Sequence, residues 1–317
     1  MQLLEKKYTW DFWWIERPSH KDYLFYFLNA DASLVETEQH HFASQIGVAS
    51  TADLRRFDVI RLDALAADPN GWDNTSIWSG HVVRFEDEFW CAYTSRDKSC
   101  DDGFTQKIGF AESSDGIDWK KRRDVPLVES QPDWYLAKSD PLEDTIHAWR
   151  DPFLFSDGGN WFMLIAAKDK RQPVNRRGCI AIASADTVFG PWTVHPPLLS
   201  PGVYDEMEVP QIYRTKGRSS VICFSTNAKY DHSNRTKGAG GFIAIEFENS
   251  IRQAVMERGR CDVLIGDNDV SYSVVSPYRE GLFACRVAPK LGGEVIGFPQ
   301  RDGGVGLSSS RLFVDRY

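Results

Sequence analysis

Five strand–turn–strand segments recur along this sequence, and the repeat constrains the fold more than any other feature. The segments begin near residues 11, 78, 151, 208 and 271, which is a spacing of roughly 60–70 residues. Each is rich in Val, Ile, Phe, Tyr and Trp, and tight turns such as DGGN and TKGR separate the paired strands. Helical periodicity is weak throughout, so the pattern predicts an all-β fold.

A second repeated element follows three of these hairpins. IGVASTADLRRF (46–57), IGFAESSDGIDW (108–119) and IAIASADTVFGPW (180–192) share an apolar strand, small residues, an Asp turn and then an aromatic. The repeat length suits a four-stranded propeller blade with long connecting loops, and five units exhaust the chain. We therefore predict a five-bladed β-propeller in a single domain, residues 1–317, whose first strands face a central channel.

Acidic residues open several of the predicted inner strands. Asp11 opens the first unit, and Arg150 and Asp151 open the third. Glu206 and Glu208 in the fourth unit are two residues apart, so they project from the same face of a strand. In a propeller, such residues converge on one pocket although they lie far apart in sequence. The equivalent position holds Trp78, Ser79 and His81 in the second unit, and Tyr272 in the fifth.

Three carboxylates in a tryptophan-lined funnel suit the cleavage of a glycosidic bond. One attacks the anomeric carbon or activates a water, and another donates a proton to the leaving oxygen. Nearby like charge raises the pKa of that proton donor. The third carboxylate can hold sugar hydroxyls. Each motif alone also occurs as a turn or a solvated strand face, but their coincidence at equivalent positions of a repeat favours a catalytic role.

The sequence resembles the propeller glycosidases of families 32 and 68, which include invertases, inulinases, levanases and levansucrases. The resemblance lies in TWDFWW, WSGHVV, WRDPFLF and YDEMEVPQIY. It implies Asp11 as the nucleophile, Glu208 as the general acid/base and Asp151 as the transition-state stabiliser. Arg150 and Ser79 are implied as supporting contacts.

The sequence also departs from these families. Val209 stands where family 68 has arginine and family 32 has cysteine. The Asn-Asp-Pro-Asn-Gly motif of family 32 around the nucleophile is absent. Phe27 replaces a usual glutamine, and Gln45 replaces a frequent tryptophan. Since five units account for the chain, we expect no C-terminal β-sandwich of the family 32 type.

The resemblance implies a retaining glycoside hydrolase, a β-fructofuranosidase or fructosyltransferase, that acts on sucrose or short fructans through a covalent fructosyl-enzyme. Two alternatives stay open. One is an inverting arabinanase or xylosidase of the family 43 type, distinguished by a carboxyl separation of ~6.5–9.5 Å instead of ~5–5.5 Å. The other is a propeller that only binds carbohydrate. The remaining predicted substrate contacts are Trp10, Trp78, His81, Glu206 and Tyr272.

Composition restricts the partners. A net charge of −8 without a Lys/Arg-rich stripe argues against nucleic acid. No run approaches the roughly 20 apolar residues of a membrane span. We expect a small-molecule or oligosaccharide substrate and no cofactor. Family 68 members often carry a structural calcium, but no convincing ligand set stands out here. The His40-His41 pair lacks a third ligand, so no metal site is predicted.

The N-terminus and the cysteines predict a cytoplasmic location. No basic segment followed by an apolar stretch marks a signal peptide. The six cysteines are scattered without CxxC pairs, as expected for a reduced protein. The sequence gives no indication of the oligomeric state. Four cysteines lie in apolar runs and are expected to be core thiols: Cys91, Cys179, Cys223 and Cys285.

Overall fold

A computed structural model of the chain is an all-β structure, with three short helical segments among the residues that it describes. This confirms the fold class that the repeat predicts. None of the helices in the described part of the chain is long and apolar enough to cross a membrane. The structure describes residues 4, 6–34, 39–53, 56–101, 103–141, 146–214, 220–233, 240–247, 260–265, 275–278, 281–286 and 294–297.

Five antiparallel sheets follow one another along the chain, each built from strands that are consecutive in sequence. The first four sheets have four strands each, hydrogen-bonded in chain order, and the fifth has three described strands. Their first strands begin at residues 7, 77, 149, 208 and 275, close to the starts of the predicted units. The predicted hairpins therefore form, and each lies at the same edge of its sheet.

The element bounds are as follows. The first two sheets contain β1 (Lys7–Arg17), β2 (Asp22–Asp31), β3 (Gln45–Thr51), β4 (Asp58–Leu65), β5 (Ile77–Phe85), β6 (Glu88–Arg96), β7 (Gln106–Ser113) and β8 (Lys120–Lys121). The other sheets contain β9 (Trp149–Asp157), β10 (Asn160–Lys168), β11 (Gly178–Ala185), β12 (Thr193–Val194), β13 (Glu208–Arg214), β14 (Ser220–Thr226), β15 (Gly241–Phe247), β16 (Arg260–Ile265), β17 (Val275–Tyr278), β18 (Gly281–Arg286) and β19 (Glu294–Gly297). The helical segments are Gln39–Phe42, Lys98–Asp101 and Ala228–Tyr230.

The turn chemistry read from the sequence is visible between β9 and β10. Gly158 and Gly159 both have positive φ, 60° and 84°. A two-residue turn of this kind matches the twist of the flanking strands, and glycine adopts it without a steric penalty. The DGGN stretch therefore fixes the register of this hairpin, in which Asp157 pairs with Asn160.

The core consists of apolar clusters that lie between successive sheets. One joins Tyr26 of the first sheet to Tyr93 of the second, and the next joins Phe110 of the second to Met163 of the third. A further cluster joins the third sheet to Phe224 of the fourth. Because both faces of a sheet are covered, the second strands of the first three sheets are buried almost throughout.

This packing brings the first strands of successive sheets side by side. Strand β1 contacts β5, β5 contacts β9, and β9 contacts β13. Residues at the same height on these strands are therefore neighbours, although about 60–70 positions separate them along the chain. The sheets thus bring the predicted acidic residues of three units to one place.

Three of the predicted core thiols are confirmed. Cys91, Cys179 and Cys223 are buried and form no disulfide. Burial raises the pKa of each thiol above its ordinary value, so these cysteines behave as small apolar residues. The side chain of Cys285 lies outside the described residues.

A buried carboxylate ties the second sheet to the loop before it. Asp73 is fully buried and accepts bonds from Lys121 at 2.5 Å, Arg123 at 2.7 Å and the Tyr93 hydroxyl at 3.0 Å. Buried charges need such partners, because the interior solvates them poorly. Removal of this carboxylate would leave two cations facing each other across the vacated position.

We expect Asp73→Ala to lower the free energy of unfolding by about 3 kcal/mol, since it breaks a buried charge network. Urea denaturation measures the change. The matched control is Asp118→Ala, which removes an exposed carboxylate from its pair with Arg61 and should cost less than about 1 kcal/mol. Equal losses in the two variants would contradict the interpretation.

Candidate active site

One extra residue interrupts the strand register in the first strand of each of the first four sheets; these strands are called the inner strands below. The breaks fall at Asp11 in β1, at 78–79 in β5, at 151–152 in β9 and at 209–210 in β13. Such bulges turn side chains out of the regular alternation of a strand and are frequent next to active sites. Here they occur at one height on neighbouring strands, so the redirected side chains meet.

The backbone is strained at three of these positions. Asp11, Asp151 and Val209 have positive φ angles of 31°, 58° and 50°. This region is unfavourable for residues with a side chain and most unfavourable for a β-branched residue such as Val209. Strained residues of this kind cluster at functional sites, where the surrounding structure enforces them.

Asp11, the predicted nucleophile, is buried and accepts a short hydrogen bond from the Ser79 hydroxyl. Burial raises the pKa of Asp11 to about 8, and the negative charge of Asp151 adds to the shift. The Ser79 hydrogen bond acts in the opposite direction, because it stabilises the ionised form. The predicted supporting residue Ser79 therefore does lie against the predicted nucleophile.

Asp151 connects strands of three successive sheets. Its backbone N–H donates to the Thr94 hydroxyl of β6 at 3.0 Å, and its carboxylate accepts from the Val209 N–H at 3.0 Å. Burial raises its pKa, whereas the Arg150 charge and the Val209 hydrogen bond oppose that shift. The strained Val209 peptide thus has a specific function, which is to point its N–H at this carboxylate.

Arg150 joins the two glutamates of the fourth sheet. Its Nη2 lies 2.7 Å from Glu206 Oε2 and 2.7 Å from Glu208 Oε1. Burial alone would lower the pKa of this guanidinium, but the negative charges of Glu206 and Glu208 raise it. Its buried Nη1 has no hydrogen-bond partner among the described residues.

Glu208 and Glu206 differ in protonation although they share this arginine. Burial raises the pKa of Glu208 to about 7, with further contributions from Glu206 and Asp151 against the effect of Arg150. Burial acts on Glu206 too, but Arg150 and Lys168 outweigh it and lower the pKa. Glu206 is therefore ionised at neutral pH, and Glu208 is close to half protonated. The Glu208 Oε2 atom has no hydrogen-bond partner within the described residues.

A cavity lies along the inner strands beside these carboxyl groups. Its walls are largely aromatic and apolar, and the sequence interpretation missed most of them. Alternation along β1 beyond the bulge is the signal that could have identified Phe12 and Trp14. The lining residues are Asp11, Phe12, Trp13, Trp14, Ser79, Gly80, His81, Asp151, Pro152, Phe153, Val209, Pro210 and Gln211.

His81 presents a neutral donor to this cavity. Its Nδ1 accepts the Leu154 N–H at 3.2 Å, and its ring stacks on Phe153 with centroids 4.1 Å apart. Burial lowers the pKa of His81 to about 3, so the ring stays uncharged at neutral pH. The proton of the neutral ring is then on Nε2, because Nδ1 acts as an acceptor.

The other predicted contacts lie elsewhere. Trp10 packs in the core between the first two sheets, with its ring against the rings of His40 and His41. Trp78 donates its ring N–H to the His41 carbonyl at 2.7 Å. Neither tryptophan is among the residues that line the cavity. Their contact with a sugar stays a prediction, and Tyr272 lies outside the described residues.

No group of three or more metal-ligating side chains occurs in the described part of the chain. The charges of the buried carboxylates are balanced instead by cations of the protein, Arg150 and Lys168. What the arrangement offers is two neighbouring carboxyl groups, Asp11 and Glu208, whose pKa values are both raised and which can therefore share a proton near neutral pH. Chemistry that needs a nucleophile beside an acid fits this pair.

The fold and this pair of carboxyl groups define a glycoside hydrolase. The N-terminal domain of the glycosyl hydrolases family 32 matches residues 22–254, which is more than half of the chain. The chain belongs to this family. The matched part contains Asp151 and Glu208, whereas Asp11 precedes it. No curated protein sequence matches the chain significantly.

Solved structures share the fold. The chain resembles the inulosucrase of Halalkalicoccus jeotgali bound to kestose, with a TM-score of 0.66 and 16% identity over 89% of this chain and 76% of that one. The chain also resembles the Bacillus subtilis levansucrase, with a TM-score of 0.65 and 12% identity over 92% of this chain and 83% of that one. For the fructofuranosidase of Schwanniomyces occidentalis complexed with fructose, the TM-score is 0.64 and the identity 16%, over 89% of this chain and 52% of that one. The chain thus spans about half of the fructofuranosidase.

The raised pKa of Asp11 predicts a pH-dependent cost of folding. Between about pH 4 and pH 8 the folded protein keeps a proton that the unfolded chain releases, so the stability contributed by this group falls as pH rises. We expect the effect of Asp11→Asn on the free energy of unfolding to become more stabilising by roughly 4 kcal/mol between pH 5 and pH 8, because the cost of the buried proton that this substitution removes grows with pH over that range.

Urea unfolding at both pH values tests this. Asp118→Asn, at an exposed carboxylate, is the control and should show no such pH dependence. A gain in Asp11→Asn that is the same at both pH values would contradict the assigned cause.

Proposed function

We propose that this chain is a retaining glycosidase of β-fructofuranosides such as sucrose or short fructans. The observation that carries the proposal is the coupled pair of Asp11 and Glu208, whose pKa values are both raised and which share one buried site with Asp151. The similar structures include an inulosucrase bound to kestose and a fructofuranosidase complexed with fructose, which supports a fructosyl unit as the sugar.

We also propose that the five sheets close into a five-bladed propeller that forms one catalytic domain. The first four inner strands contact one another in chain order. Strand β1 also contacts β18 of the fifth sheet. A contact between the first and the last sheet is what ring closure requires, since closure covers the faces of these two sheets that would otherwise be exposed.

In the first chemical step, Asp11 attacks C2 of the fructosyl unit while Glu208 transfers its proton to the departing glycosidic oxygen. The C2–O bond breaks, and an ester bond between Asp11 and C2 forms. Glu208, now ionised, then removes a proton from a water or a sugar hydroxyl, whose oxygen attacks C2 and releases Asp11. The carboxyl proton of Glu208 is thereby restored.

The structure supports this division of roles. The Ser79 hydroxyl donates to Asp11 and favours its ionised form, as a nucleophile needs. Within the described residues Glu208 Oε2 has no hydrogen-bond partner, so it can donate to a substrate oxygen. The pKa values of Asp11 and Glu208 are both raised, so near neutral pH the two groups can share one proton, and the reactive form is the one in which that proton is on Glu208 and Asp11 is ionised.

The remaining polar groups can orient the ring. Asp151 is held by the Val209 N–H, and its carboxylate faces the cavity, where it can accept from sugar hydroxyls. Arg150 uses Nη2 for the glutamates, which leaves Nη1 for a sugar oxygen. His81 Nε2–H supplies a donor whose charge does not change near neutral pH. These contacts would strengthen as the ring flattens towards the transition state.

The two alternatives predict different products. An inverting enzyme would give a product of opposite anomeric configuration, and a carbohydrate-binding propeller would give none. Incubation with sucrose, a fructan and p-nitrophenyl arabinofuranoside separates the substrate classes by chromatography. With methanol as the acceptor, the anomer of the methyl fructoside, read by NMR before it equilibrates, reports retention or inversion.

We expect Asp11→Asn to lower kcat for sucrose by about 10⁴-fold or more, because no nucleophile remains. Glu208→Gln should lower it by about 10²–10⁴-fold, since only the proton transfer is lost. With fructosyl fluoride, whose leaving group needs no proton, Glu208→Gln should keep fast fluoride release and Asp11→Asn should not.

Circular dichroism confirms that both variants are folded, and Asp118→Asn serves as the active control. Turnover of sucrose at the wild-type rate in either variant would exclude the assigned roles.

A second expectation concerns pH. Activity needs Glu208 protonated and Asp11 ionised, which is one proton on the pair. The pKa values of about 7 and about 8 therefore place the alkaline limb of kcat/KM, where the pair loses its last proton, between about pH 7 and pH 8. An ordinary carboxyl would lose its proton near pH 4.3 and would stop the reaction far earlier. Initial rates between pH 4 and 9 measure the alkaline limb. An alkaline limb centred below about pH 5.5 would show that the pKa of the acid is not raised.

A further inference from the structure

Lys168 is a fully buried lysine to which the proposed mechanism assigns no role. It ends strand β10, the second strand of the third sheet, and its side chain reaches the segment that precedes β13. Its Nζ lies 3.1 Å from Asp205 Oδ1 and 3.0 Å from Glu206 Oε1. Burial would lower its pKa, but Glu206 and Asp205 raise it, so the ammonium is charged at neutral pH.

The lysine continues a chain of charges that ends at Glu208. Glu206 receives Lys168 on Oε1 and Arg150 on Oε2, and Arg150 donates from the same Nη2 to Glu208 Oε1. Each carboxylate oxygen of Glu206 is thus committed to one cation. Arg150 is held between two carboxylates, and the strength of its contact with Glu208 depends on how strongly Glu206 attracts it.

Stability alone gives little reason for such a chain. The desolvation of a buried ammonium and its partners often outweighs their attraction, and apolar replacements of similar size are frequently as stable. A buried network of this kind is therefore better explained by what it positions. Here it positions the arginine that contacts Glu208, whose Oε2 is a buried carboxylate oxygen without a hydrogen-bond partner among the described residues.

We propose that Lys168 is a positioning residue for the reaction, which acts through Glu206 and Arg150 on Glu208. This rests on the proposed function of Glu208 as the acid. Lys168 binds Glu206 Oε1, so Glu206 contacts Arg150 through Oε2 alone. Arg150 therefore remains shared with Glu208. The charged groups that face Glu208 in this site are Arg150 and Asp151 of β9, Asp11 of β1 and Glu206 before β13.

The proposal predicts opposite effects from its two outer members. In Lys168→Met, a positive charge is lost and Glu206 draws Arg150 away from Glu208, so Glu208 should hold its proton to higher pH. In Glu206→Gln, a negative charge is lost and Arg150 moves wholly to Glu208, which should lose its proton at lower pH. We expect the alkaline limb of kcat/KM to shift by about one pH unit in each direction.

The double variant should lie between the two single ones, because their charge effects oppose each other. We also expect kcat of Lys168→Met to fall on the order of tenfold with little change in KM, since a misplaced acid affects the chemical step more than binding. Lys168→Arg keeps the charge and should keep the wild-type limb. Lys170→Met, at a partly exposed lysine paired with Asp140, is the matched control and should change neither quantity.

A second measurement decides the proposal even if fructosides are not turned over. NMR of protein labelled with ¹³C at the glutamate carboxyl, with the Glu208 signal assigned by its loss in Glu208→Gln, gives the titration midpoint of Glu208 in each variant. Opposite shifts in Lys168→Met and Glu206→Gln would support the proposal. An unmoved midpoint in Lys168→Met, or a shift in the same direction in both variants, would overturn it and assign Lys168 to folding only. Lys168→Gln replaces Lys168→Met if the latter does not fold.

Discussion

The guanidinium of Arg150 is the group on which the rest of the site depends. Four carboxyl groups are buried around it, and like charges at such distances cannot all be ionised without a cation among them. Arg150 and Lys168 compensate only part of that charge. Burial and the remaining negative charge favour the protonated forms, which explains why the pKa values of Asp11 and Glu208 lie far above those of ordinary carboxyls. The reactive protonation state thus follows from burial together with a shortage of positive charge.

Much of this could be predicted from the sequence, and the reasons are physical. Tight turns and apolar strands recur at a regular spacing in the sequence, so the sheets and their order were predictable. Asp11, Asp151 and Glu208 could be aligned because they open equivalent strands of the repeat. Ser79 was found in the same way, and the structure places its hydroxyl on Asp11.

The parts that escaped prediction leave no local mark. A bulge adds one residue without changing composition, yet it reverses the faces of the strand that follows. For this reason Trp10 was expected in the wall of the pocket, whereas Trp13 and Trp14 line the cavity. Lys168 escaped because its partner Asp205 lies 37 positions away, in the segment that precedes β13. A pairing of that kind exists only once the sheets have packed.

The bulges also restrict how the inner strands can change in length. Because successive side chains point to opposite faces of a strand, the extra residue decides which set of alternate side chains beyond it faces the cavity. Loss of that one residue from β1 or β9 would exchange the inner and outer faces of everything up to the hairpin turn. Aromatic side chains that fill the space between sheets would enter the cavity, and cavity-lining residues would enter the core. These strands should therefore tolerate amino-acid substitutions far better than the insertion or deletion of a residue.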